Sequence, residues 1–398
     1  MLEALVIYSV LIAVPEGTTL EALEAIGYVD SMPTDNPELR GVVYRDEDAF
    51  SGLNLLTSRH TASAQLVDMD GVVQHHWEEP GGVSWMHVEL LPNGDLLALA
   101  KDNYLIRLDR ESNVIWRVKH RVHHDFTVMA DGRILTLSRR YTRKKYGDKL
   151  LPILEDLVLW ISPDGQIQKG RSLYNQVHHL ISKDRLQALS DAVDRGEKPG
   201  VLASPEYLGD VTHTNSISVL HRDIPTVAPA GSLMFSCREL SRVVITNPSL
   251  TKVLWVWGKG ELEEQHHATQ LSNGNLMVFD NGIYRRQSRV LEIDAKKRKI
   301  VWSYSNSRLF TKLRGSAQRL PNGNVLITES DSGHVLEVTR AGETVWEFWN
   351  PFLRTVSGRT ERDSIYRFMR YPTAYYAYAS PNVVIKPPSV DDISFLNP

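Results

Sequence analysis

The sequence predicts an all-β protein, a six-bladed β-propeller with an N-terminal arm, a helical insertion and a C-terminal tail. Three observations carry that expectation. First, six segments repeat one strand, turn, strand pattern in which an apolar run usually ends in Trp: LVDMDGVVQHHW, YLIRLDRESNVIW, LVLWISPDGQIQKG, RVVITNPSLTKVLWVW, RVLEIDAKKRKIVWSY and HVLEVTRAGETVWEF. Second, most of these follow another hairpin built on an Asn-Gly or Asp-Gly turn: VELLPNGDLLALA, TVMADGRILTLS, ATQLSNGNLMVFD and QRLPNGNVLITES, lengthened in SISVLHRDIPTVAPAGSLMFS. Alternation plus turn chemistry makes each a pair of antiparallel strands, and two hairpins make a four-stranded sheet. Third, the units recur serially at roughly 40 to 50 residues, the period of propeller blades, whereas a β-sandwich needs no such repetition.

In chain order, residues 1–60 read as an arm or small subdomain and residues 61–398 as the propeller. The apolar run at 4–14 is too short to span a bilayer, which takes roughly 20 residues. It reads either as a buried strand or helix, or as a degenerate export or anchor segment giving weak membrane association. TTLEALEAIG then has the cap and stop of a short helix, with Gly27 at its end. Residues 144–208 interrupt the repeat with a helical section, LISKDRLQALSDAVDRG, expected to lie over one face. The basic run RRYTRKKYGDK at 139–149 reads as a solvated loop, and the tail IYRFMRYPTAYYAYAS as a segment that packs across the blades or closes the ring. Trp residues at the hairpin ends are expected to pack between blades, with His75 and His76 beside them in outer packing.

Composition narrows the function. A net charge of −3 over 398 residues gives no general basic field for nucleic acid. The single cysteine, Cys237, excludes an intramolecular disulfide framework and a thiolate metal cluster. No P-loop and no strand-associated G-x-G-x-x-G is present, so nucleotide-dependent transfer has no support.

Register then singles out histidines. In a propeller the first strand of each blade lines the channel, so repeat-equivalent residues converge on one axis. His87 stands six residues before Asn93, His124 seven before Asp131, and His266 and His267 seven and six before Asn273. His213 and Asn215 open the corresponding strand of the lengthened blade, while the sixth blade has Gly315 and Ser316 there. Such a cluster of desolvated, neutral imidazoles ligates a metal, performs acid/base or covalent chemistry, or binds an anion. Arg238, on the strand after HTNS, favours an anion, because a guanidinium opposes a metal ion and its fork matches sulfate or phosphate oxygens.

The motifs HHDF (123–126), HTNS (213–216), the S-x-R strand (236–238), QHHA (265–268), FDNG (279–282) and the closing GSAQRLPNGNVLIT together resemble the bacterial arylsulfate sulfotransferases. The resemblance covers about residues 60–372. It implies a six-bladed propeller that moves a sulfuryl group from an aryl sulfate to a phenolic or other hydroxyl acceptor, without a nucleotide donor, cofactor or metal. It also points to a periplasmic or membrane-anchored, periplasm-facing location, with a cytoplasmic one as the alternative. His266 corresponds to the histidine that is sulfurylated, which makes the kinetics ping-pong. His124, His213, Asn215 and Arg238 match residues that hold the sulfuryl oxygens, with His124 or His213 also moving the phenolic proton. His123, His267 and His87 are further imidazoles for substrate binding. Two other readings stand beside this one: a metal-dependent lyase or hydrolase with His87, His124, His213 and His266 as ligands, and a non-catalytic propeller that binds a polysaccharide or protein.

Overall fold

The computed structural model describes residues 30–197, 208–373 and 375. The apolar run at 4–14 and the helix expected at 18–27 lie outside them. Among the described residues are six antiparallel sheets of four or five strands and one of three. The second blade holds His87–Leu90, Leu96–Ala100, Tyr104–Leu108 and Val114–Lys119, and the third Val122–Val128, Ile134–Tyr146, Lys149–Ile161 and Ile167–Ser172. The fourth runs from Thr214–Val219 through Leu233–Cys237 and Arg242–Thr246 to Val253–Trp257. His266–Gln270, Leu276–Asp280, Arg289–Asp294 and Lys299–Tyr304 form the fifth, and Ser316–Arg319, Val325–Glu329, His334–Val338 and Thr344–Trp349 the sixth.

The first blade closes the ring. Its innermost strand, Met369–Pro372, comes from the far end of the chain and pairs with Gly52–Thr57, followed by Ser63–Val67 and Val73–Glu78. Gly52 is required at this seam, because a Cβ there would stand 2.5 Å from the carbonyl oxygen of Tyr371. Gln318 on the sixth blade holds the closing strand through Nε2 to Arg370 O (2.9 Å) and Oε1 from Arg370 N (2.8 Å). The Arg370 side chain then runs to the buried Glu337 of that blade.

The boundary expected at residue 60 is therefore displaced. Gly52–Thr57 belongs to the first blade, Gly41–Arg45 adds a fifth strand to the outer edge of the sixth, and Ser31–Pro33 pairs with Arg359–Asp363 in the small sheet. The run at 139–149 is not a loop either. It continues the third blade's hairpin through a turn at Gly147, with Arg140 and Lys144 both on the Glu155 carboxylate. The helical section appears as Lys183–Asp194, capped by the Ser182 side chain on Arg185 N.

Burial follows position in the blade. The second strands of the second, fourth, fifth and sixth blades are buried throughout, whereas outer strands such as Val114–Lys119 and Lys299–Tyr304 are largely exposed. The repeated aromatic residue is an inter-blade fastener. Trp116, Trp255, Trp302 and Trp346 donate Nε1–H to a turn carbonyl of the following blade, on Pro163, Ala295, Arg340 and Met69 at 3.0 to 3.1 Å. His75 takes the same position with Nε2 at 2.8 Å from Arg110 O. Only the third blade departs, with Lys169 lying over its own Trp160.

Candidate active site

Register sorts the histidines into two levels. His124 and His266, seven residues before their turns, lie at one mouth of the channel with His213. His87 and His267, six before theirs, lie deeper, around a cavity of about 40 Å³ also lined by Glu89, Asp125, Gln318 and Arg367. Bulges make this sorting possible: the first strand of the third blade carries two extra residues and those of the fourth and fifth one each, and φ is positive at His124, His213 and His267. An inserted residue re-aims the side chain beside it, so neighbouring histidines face different surroundings.

At the mouth, each of three imidazoles is anchored through Nδ1. His266 Nδ1 lies 2.8 Å from Asn281 Oδ1. Asn281 is itself fixed, since its Nδ2 donates to Thr311 O (2.9 Å) and Arg314 O (2.7 Å). Its Oδ1 therefore accepts, His266 Nδ1 carries the proton, and the lone pair falls on Nε2. His213 Nδ1 meets Asp210 Oδ2 at 2.6 Å, and His124 Nδ1 meets His123 Nδ1 at 2.8 Å. His123 is turned away, its Nε2 standing 3.3 Å from Asp156. The ring centroids of His124 and His213 are 5.0 Å apart.

Burial, reinforced by Arg238, pushes the His266 imidazole down to about 3. Burial and the neighbouring His213 and His123 hold His124 well below the ordinary histidine range. Both rings are neutral at pH 7, as a nucleophile and a base must be.

Arg238 begins a short 3₁₀ turn just beyond its strand, its amide on His213 O (3.2 Å) and its guanidinium on Glu239 and Glu264. Asn215 donates Nδ2 to Gln265 O at 2.9 Å, and its buried Oδ1 has no partner among the described residues.

The deeper pair differs in kind. His267 Nδ1 accepts from Ala317 N at 3.2 Å, so its lone pair is consumed and its proton sits on Nε2. His87 packs on Phe126 beside an ion pair between Arg367 and Asp125 of 2.7 Å. Burial is the main cause that lowers both histidines well below the ordinary range. The four histidines weighed as a metal shell are thus divided between levels, and among the described residues no group of three His, Cys, Asp or Glu side chains could hold a metal ion.

Several contributors were not singled out from the sequence: Asn281, Asp210, Asp125, Arg367 and Tyr366, whose hydroxyl donates to Asn215 O at 3.2 Å. Asn281 and Asp125 stand inside the FDNG and HHDF motifs, which is the signal that points to them. Gly282 fixes the first of these turns, since φ is +67° and a Cβ would collide with Gln287 O at 1.9 Å. In the sixth blade Gly315 occupies the mouth register because the Phe279 ring fills the space, 2.3 Å from where a Cβ would stand.

A family model described as Arylsulfotransferase (ASST) matches residues 87–351, well over half of the chain. No curated protein matches. Among solved structures, a protein of unknown function from Bacteroides caccae is similar at 10% identity over 81% of this chain and 99% of its own, with a TM-score of 0.52. A virginiamycin B lyase from Staphylococcus aureus is similar at 12% identity over 82% and 89%, with a TM-score of 0.44. At such identities the likeness to the first is one of fold, and no function follows from either.

Proposed function

The chain belongs to the arylsulfotransferase family, and on that premise we propose that it transfers a sulfuryl group from an aryl sulfate to a phenolic acceptor through a sulfohistidine at His266, without a nucleotide. The observation that carries this reading is the orientation of His266. A buried neutral imidazole, with its proton fixed on Nδ1 by Asn281, offers an Nε2 lone pair to sulfur.

In the first half-reaction Nε2 forms a bond to sulfur while the S–O bond to the aryl group breaks, and the electron pair leaves on the aryl oxide. The positive charge left on the imidazole is shared with Nδ1–H, which Asn281 Oδ1 stabilises. In the second, the acceptor oxygen attacks sulfur, the N–S pair returns to Nε2, and the neutral His124 accepts the phenolic proton. Arg238, His213 and Asn215 hold the sulfuryl oxygens. Electrostatic stabilisation of this kind is worth about 10² to 10³ in rate for a single donor.

The test is His266→Asn. The variant should stay folded yet release no 4-nitrophenol from 4-nitrophenyl sulfate and transfer nothing to a phenol. Near-normal transfer by a folded variant contradicts the assignment.

A further inference from the structure

The blades share a second equivalent position, at the mouth end of their second strands. Aligning each blade on the bulge between its third and fourth strands places Arg59, Lys101, Arg139, Arg238, Asn281 and Ser330 in register. In the second to sixth blades this is the seventh residue after the turn glycine. Two of the six, Arg238 and Asn281, already belong to the site around His266.

The four cations of the series are not alike. Arg59 is paired with Asp30 (2.6 Å), Arg139 with Asp102, and Arg238 with Glu239 and Glu264. Lys101 makes no hydrogen bond or ion pair among the described residues. It is partly buried among Arg59, Arg139 and Arg314, and the leading opposing charge acting on it is that of Asp102, itself engaged by Arg139. Its charge is felt at His124, on the next blade. A cation held among cations without its own counter-charge is unfavourable unless something anionic arrives.

We propose that Lys101 forms a second anion subsite of the active site, which selects an aromatic substrate carrying a second anionic group such as a carboxylate. The second and fifth blades face one another across a six-bladed ring. With the sulfuryl group at His266, the proposed subsite lies across the ring, where Arg139 and His124 are electrostatic neighbours of Lys101. Burial and the surrounding guanidinium groups lower the Lys101 ammonium to about 8, so the subsite is cationic at neutral pH and loses its charge above that value. An arriving carboxylate raises it again, which couples binding to retention of the proton.

This inference rests on the transfer reading for its kinetic test, so a binding test stands beside it. The probes are 4-(carboxymethyl)phenyl sulfate and its neutral amide, 4-(carbamoylmethyl)phenyl sulfate, in which the methylene keeps the leaving groups similar. Wild type should favour the carboxylate in kcat/KM by about tenfold, the scale of one charge-assisted contact. Lys101→Met should abolish the preference, Lys101→Arg should keep it, and the wild-type preference should fade as pH rises through about 8. Equal use of the two donors by wild type, or a preference that survives in Lys101→Met, overturns the subsite. If neither donor is turned over, the transfer reading fails and calorimetry with 4-hydroxyphenylacetate decides: binding lost in Lys101→Met upholds the subsite, and absent or unchanged binding overturns it. Lys101→Gln replaces Lys101→Met should the latter fail to fold.

Discussion

Replacing Asn281 with Ala tests the orientation of His266 without touching the nucleophile. In the wild type Asn281 Oδ1 accepts from His266 Nδ1 at 2.8 Å, and Asn281 Nδ2 donates to two carbonyls of the segment leading into the sixth blade. Removing Oδ1 leaves a buried Nδ1–H with no acceptor, at a cost of about 1 to 3 kcal/mol. The ring escapes that cost by moving its proton to Nε2, which removes the lone pair from the attacking nitrogen. At about 1.4 kcal/mol per tenfold, the reactive tautomer falls by roughly 5- to 150-fold. The rapid burst of 4-nitrophenolate from 4-nitrophenyl sulfate, followed by stopped flow, reads this directly, because it reports the first half-reaction alone. Thr311 O and Arg314 O each lose a donor as well, so stability should drop by about 2 kcal/mol in urea titrations. The burst must therefore be recorded where the variant is fully folded. A folded variant with an unchanged burst rate, or with a defect confined to KM, refutes the tautomer argument.

Other expectations follow from the same geometry. His267→Asn should cost about 1 kcal/mol of stability through the lost bond to Ala317 N, and leave sulfuryl transfer within a few fold of wild type, unlike His266→Asn. Acid should destabilise the fold early. The His266 imidazole, at about 3 when folded, binds its proton near 6.5 in the unfolded chain, so its contribution is complete above 6.5 and shrinks as pH falls, reaching a loss of about 2 kcal/mol at pH 5. His87, His124 and His267 shift in the same direction, so urea midpoints should fall steeply between pH 6.5 and 5. Trp346→Phe keeps the buried ring but orphans Met69 O at the junction of the sixth and first blades, and should cost about 1 to 2 kcal/mol without changing kcat.

What the sequence showed and what it hid have physical reasons. Blade repeats were legible because alternation and Asn-Gly turns are local, and so was the convergence of histidines, which depends only on counting back from those turns. The seven-against-six offset even separates the two levels, though the sequence alone does not say that His124 and His266 go one way and His87 and His267 the other. That sorting depends on bulges, where one or two extra residues and a positive φ break the expected alternation. The boundary at residue 60 was misplaced because ring closure is non-local: Gly52–Thr57 finds its inner partner in Met369–Pro372, more than 300 residues away. Asn281 was visible in FDNG, yet its fixed orientation is set by carbonyls of Thr311 and Arg314, beyond the reach of any local pattern. Lys101 sits in a turn, KDN, and its equivalence to Arg238 emerges only when the blades are aligned by strand register.

The central claim is a covalent sulfohistidine, and intact-protein mass spectrometry after brief incubation with 4-nitrophenyl sulfate tests it most directly. Wild type should gain the mass of one sulfuryl group, mapping by peptide fragmentation to His266 and disappearing when a phenol is added, while His266→Asn gains none. Release of 4-nitrophenol with no adduct on wild type, or an adduct that maps to another residue, contradicts the account.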